Sequence, residues 1–201
     1  MRPWIPALPR IEAGAGRNHA RGLMEPSRIV ALASRIDRCN AAIGRVVAWA
    51  ALLVVLVQFA VVVLRYVFGV GSIWLSESIL YGNAIMFMLA AAWTLQQNGH
   101  VRVDVFYSEA SPAARALVDL LGALLLLLPF MAVIAWFALP YVARSWTVLE
   151  RSRESSGLPF VYLLKTLIPV FALLMALQGV AQAIRAALVL MTAPTASAGT
   201  R

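Results

Sequence analysis

An all-α integral membrane protein with four transmembrane helices is the fold class this sequence predicts, and three observations predict it. Of 201 residues, 62% are hydrophobic and only 13% charged, whereas a soluble domain carries about a quarter of its residues charged. Apolar stretches long enough to cross a hydrocarbon core of about 30 Å recur at about residues 43–64, 74–97, 116–141 and 159–190. Ionisable side chains stay near the ends of these stretches, as Glu77, Asp119 and Lys165 do. Each would cost about 2.5–3.5 kcal/mol at the bilayer centre.

Residues 1–28 are rich in Pro, Gly, Ala and Arg and have no hydrophobic period, which predicts a disordered basic tail. The first apolar run begins only at Ile43, too late for a secretory signal. Translation is expected to start at Met24, because residues 1–23 lack the pattern that begins after it. Over residues 29–42, Ile29, Leu32, Ala33 and Ile36 fall at helical spacing, with Ile43 continuing the stripe. Arg28, Ser34, Arg35, Asp37 and Arg38 surround it. That suits an amphipathic helix on the membrane surface, with a solvated helix running into the first span as the alternative.

The transmembrane domain is expected over residues 43–190. Its first span carries Gln58 and closes at Arg65-Tyr66. The short link that follows, with Gly69 and Gly71, makes the first two spans antiparallel neighbours. Trp74 opens the second span as an interfacial anchor, with Glu77 a turn inside, and Gln96-Gln97-Asn98-Gly99-His100 ends it. Ser111-Pro112 reads as an N-cap with proline in the first turn. Pro129 and Pro140 are expected kinks in the third span. The mixed-charge run Arg144 to Glu154 is expected to prolong that helix until Ser155-Ser156-Gly157 stops it. Pro159 starts the fourth helix, in which Gln178 and Gln182 lie one turn apart and mark a packed stripe. Residues 191–201 form a second disordered tail.

Charge sets the orientation. Of 17 basic residues, twelve fall on the side of both termini and of the turn between spans two and three. Five (Arg65, Arg144, Arg151, Arg153 and Lys165) fall on the other. The positive-inside rule then puts both termini on the cytoplasmic side of the membrane. Eight arginines precede residue 46, and ahead of a hydrophobic span they read as an orientation signal rather than a nucleic-acid site.

The chemistry classes are narrow. Cys39 is the single cysteine, so no intrachain disulfide forms. His19 and His100 lie outside the spans, which leaves a transmembrane haem without ligands. No metal, cofactor or catalytic constellation is readable, so the chain is expected not to be an enzyme. His100, Arg102 and Asp104 read as a polar turn at the membrane surface. Glu77 is expected to need a partner within the bundle, Lys165 ahead of Arg65.

Three features together, Glu77 behind Trp74, the Gly99-His100-Val101-Arg102-Val103-Asp104 turn, and Ser155 to Pro159 leading to Lys165, resemble the small membrane subunit (DctQ-type) of tripartite ATP-independent periplasmic (TRAP) transporters. The resemblance covers residues 43–190. Ser76-Glu77 offers one acid where many members have two. The resemblance implies a non-catalytic scaffold in a sodium-coupled, binding-protein-dependent importer of organic acids. Its implied partners are a large elevator-type permease subunit, a periplasmic substrate-binding protein and the lipid bilayer. A free-standing four-helix membrane protein with an assembly or stress role is the alternative.

Overall fold

The computed structural model describes residues 24–100, 107 and 110–192. Its helices are α1 (Met24–Val67), α2 (Ile73–Gln96), α3 (Pro112–Leu121), α4 (Leu128–Thr147) and α5 (Val161–Thr192). A π-helical segment, Gly122–Leu127, joins α3 to α4 without interruption, so four continuous rods are long and apolar enough to cross a membrane. No β-strand occurs among the described residues.

The π segment sits immediately before Pro129. A proline ring removes one helical hydrogen bond and crowds the carbonyl four residues back. A widened turn absorbs both effects, with the Leu128 N–H bonding the carbonyl of Ala123, five residues back. Pro140, also expected to bend the span, lies inside α4, which continues through it. The third span begins as expected: Ser111 is the N-cap, its Oγ accepting from Ala114 N at 3.2 Å, with Pro112 as the first helical residue.

Helix α5 is the central element, touching all the others. Its buried face carries Ala172, Leu174, Met175, Gln178, Gly179, Ala181, Ala183 and Ala186. Small residues let neighbouring backbones approach where lipid provides no hydrophobic drive for association. Around Ala172, Leu174 and Met175 pack Ala92 of α2 and Met131 of α4. Helices α1 and α2 meet through glycines: a Cβ on Gly44 would enter the Trp93 indole, and one on Gly82 would enter Val54.

Two expectations change. Residues 29–42 do not form a separate surface helix; they are the first turns of α1 and run unbroken into the span. Their inward face takes in only part of the apolar stripe. Ile29 and Leu32 are exposed, while Ala33, Asn40 and Val47 are buried, because Asp37 and Asn40 have polar partners on α5. Second, the third span stops at Thr147 rather than near Ser155. Leu149 takes a left-handed conformation (φ 44°). Its N–H reaches the Trp146 carbonyl at 3.2 Å, and the next, Glu150 N–H, reaches the Ser145 carbonyl at 3.0 Å. That pair of bonds is a Schellman stop. Helix α2 ends the same way on Asn98 (φ 54°), with Asn98 N to Leu95 O at 3.1 Å and Gly99 N to Thr94 O at 2.8 Å.

Candidate functional site

The polar side chains gather at the two ends of the bundle. One end carries the links 68–72 and 148–160; the other carries the C-terminal end of α2, the start of α3, and the ends of α1 at Met24 and α5 at Thr192.

At the first end, Ser72 caps α2, its Oγ accepting from Leu75 N at 3.3 Å, and so fixes Glu77 one turn further in. The Glu77 carboxylate faces the 148–160 link. One oxygen accepts from Ser152 Oγ, and the other accepts from the Leu158 backbone N–H at 2.5 Å. Ser152 Oγ in turn accepts from Glu154 N at 3.2 Å, and Ser152 N bonds Leu158 O at 3.2 Å. Leu158 is buried beneath this loop. A Cβ on Gly157 would stand 2.7 Å from the Glu77 carboxylate and overlap Ser152, so the loop closes on the carboxylate only with glycine there.

Lys165 has a different partner. Its Nζ pairs with Glu150 at 2.5 Å and lies 4.1 Å from the centre of the Tyr141 ring. The same Glu150 oxygen accepts from Ser145 Oγ at 2.7 Å. The Lys165 ammonium first, and the Ser145 hydroxyl second, hold the Glu150 carboxyl below the usual glutamate range. Beside them, Trp146 Nε1 donates to Thr166 Oγ1 at 2.9 Å, and its ring meets Tyr162 edge-on at 4.7 Å. The expected Glu77–Lys165 pair is therefore not formed. Glu150 lies on the link right beside Lys165, and the loop supplies Glu77 with a hydroxyl and an amide instead. The left-handed turn at Leu149 precedes Glu150, which lies within reach of Lys165 and Ser145. A left-handed conformation costs a branched L-residue about 1–2 kcal/mol.

Among the described residues, the other predicted ones do not join this cluster through bonds. Trp74 is exposed in the first turn of α2. Arg65 is exposed in the last turn of α1 and borders a shallow cleft with Ser72 and Ser76. His100 is exposed after the α2 cap. Arg102 and Asp104 lie outside the described residues, as do residues 1–23 with the expected start at Met24 as their boundary. Asp119, near the start of the third span, accepts from the Tyr107 hydroxyl at 2.8 Å.

At the second end a network absent from the sequence reading joins α1 to α5. Asp37 receives both terminal nitrogens of Arg185, at 2.6 and 2.9 Å. Gln178 Nε2 donates to Asp37 at 3.1 Å, and Gln178 Oε1 accepts from Asn40 at 2.7 Å. Both Gln178 and Asn40 are buried. Gln182, one turn on, donates to the Leu95 carbonyl of α2 at 3.2 Å. The glutamine stripe is thus an inward face, as its spacing predicts. The available signal for its partners was the three-residue interval between Asp37 and Asn40, one helical face ahead of an apolar span.

Fold and site together define a multi-pass membrane protein whose polar side chains, among the described residues, join helix to helix and loop to helix. The sequence comparison gives the family: the DctQ component of the tripartite ATP-independent periplasmic transporters matches residues 54–189. That is more than half of the chain, and the chain belongs to this family. It is a small subunit of a TRAP transporter, a class that works with a large permease and a substrate-binding protein, and it is not an enzyme. No curated protein and no solved structure matches significantly.

Proposed function

We propose that this subunit is the scaffold of a sodium-coupled importer of organic acids, packing against the fixed part of a large elevator-type permease and carrying neither substrate nor sodium itself. The observation that carries this reading is the character of the helix interiors. Transporter sites are built where helices break and leave backbone and polar groups free to bind. Here α1, α2 and α5 are continuous, and the break in the third span is a π turn of sequence Gly-Ala-Leu-Leu-Leu-Leu. The deep glutamines of α5 are engaged by Asn40, Asp37 and Leu95. Both termini face the cytoplasm in this reading, and the 148–160 link faces outward. Reporter fusions after Arg65 and Glu154 are expected to read periplasmic, and fusions after Arg102 and at the C-terminus cytoplasmic.

The deciding experiment is reconstitution. Vesicles containing this chain alone are expected to show no sodium-driven uptake with any binding protein; adding the large subunit and its binding protein establishes it. Uptake by the chain alone would contradict the scaffold role.

A further inference from the structure

Helix α1 covers one of its faces over only half its length. Ala33, Asn40, Gly44 and Val47 are buried, with Asp37 half-buried among them. Asp37 and Asn40 bond to α5, and Gly44 meets Trp93 of α2. At spacings of three and four residues, which keep to one helical face, the stripe runs on through Ala51, Val55, Gln58, Val62 and Arg65. From Val55 onward every member of it is exposed. Apart from Gln58 and Arg65, this uncovered half is small or β-branched, whereas the adjoining exposed face carries Trp49, Leu52, Leu56 and Phe59. Small and β-branched side chains let a second helix approach closely and interlock.

Gln58 makes lipid a poor cover for this stripe. Exposed Arg45 and Arg65 bracket the span, standing about 30 Å apart along α1 at 1.5 Å per residue. Gln58 lies about 20 Å inside the first and about 10 Å inside the second. Its side chain is exposed and makes no hydrogen bond among the described residues, unlike Gln178 and Gln182 of α5. Acyl chains offer an amide no partner, and a water-soluble protein does not reach that depth. A second copy of this chain fits poorly too. Two copies share one membrane orientation, so stripes packed symmetrically would set Arg65 against Arg65, and like charges repel. What answers both residues is a helix of a different membrane protein, with a hydrogen-bonding side chain level with Gln58 and no cation level with Arg65. One polar side chain in an apolar helix seam fixes the register of packing. Taking the scaffold role proposed above as given, we infer that a transmembrane helix of the large subunit seats on the α1 stripe from Ala51 to Arg65, and that Gln58 fixes its register through a hydrogen bond inside the bilayer.

The test uses this chain co-expressed with its large subunit, first in membranes and then purified in mild detergent. A photoreactive benzoylphenylalanine in place of Val62 is expected to crosslink to the large subunit. The same group in place of Leu56, on the face of large side chains, is expected not to. Gln58→Leu is expected to speed release of this chain from the immobilised large subunit about three- to tenfold. The thermal midpoint of the isolated chain is expected to hold or rise in that variant, because lipid covers leucine better than an amide. Gln58→Asn, which keeps an amide, is expected to recover part of the hold.

Unchanged release in Gln58→Leu overturns the proposal, as does a Val62 position that crosslinks no better than Leu56. Crosslinking of position 62 to a second copy overturns it by making the stripe a self-contact. A lower midpoint of the isolated chain in Gln58→Leu also overturns it, by placing the work of the amide within the fold. Failure of the unmodified chain to co-purify with a large subunit is a separate result: the scaffold role itself then falls, and this inference with it.

Discussion

The two ends of the bundle use polar side chains for different ends. Where α1 begins and α5 ends, Asp37, Asn40, Gln178 and Arg185 bond across α1 and α5, so every partner stands on a helix. Where the links lie, Glu77 and Lys165 each bond from a helix to a segment with no regular structure. The first arrangement sets how helices sit against one another. The second sets the shape of a loop, and it tolerates a left-handed leucine to do so. A helix-to-helix network belongs to the stability of the fold, whereas a strained loop held by side chains on the surface points to recognition.

This contrast orders the consequences of substitution. The largest is expected at Gly44→Leu, one turn beyond Asn40, which drives a side chain into the Trp93 indole and separates α1 from α2. Overpacking of this kind costs about 1–3 kcal/mol or more, read as a lower thermal midpoint in detergent and loss of assembly. Next comes Asp37→Ala, which strips Arg185 and Gln178 of their shared acceptor. A loss of about 1–3 kcal/mol is expected, seen in the melting of the whole bundle.

Glu77→Gln is expected to behave differently. It leaves an amide oxygen for one of the two donors, so the global midpoint falls by no more than about 1 kcal/mol equivalent. Cleavage within residues 150–158 by an added protease should nonetheless rise sharply.

The smallest effect is set by pH. Glu150 titrates below its ordinary range in the folded chain because its charged form is held by Lys165 and Ser145. Its contribution is therefore complete above the ordinary glutamate range and is lost as pH falls through the lowered value. Loop cleavage is expected to be flat from neutral pH down to that range and to increase only below it. Lys165→Met should remove most of the acid dependence.

Much of this was legible in the sequence, and the rest was hidden for physical reasons. Four spans, the Ser111-Pro112 cap and the inward glutamines follow from apolar length and turn chemistry. The inward face of α1 does not, because lipid is as apolar as a protein core; hydrophobic periodicity then says little about which face is buried, and Asp37 passed as solvated. Glu77 stood out as a carboxylate needing a partner. Its partners are a serine and a backbone amide more than seventy residues away, and an amide carries no residue-type signal. The Lys165–Glu150 pair spans only fifteen residues. It was obscured by the expectation that the third helix continues through Glu150, since nothing in the letters marks Leu149 as a left-handed stop.

The most direct test of the distinction between the two ends is amide hydrogen exchange on the assembled complex, comparing Glu77→Gln with Asp37→Ala. Glu77→Gln is expected to speed exchange across residues 150–158, the Leu158 amide above all, while leaving residues 36–44 and 176–186 as they were; Asp37→Ala is expected to do the reverse. Loosening of both ends by either substitution, or an unchanged Leu158 amide in Glu77→Gln, would contradict the account.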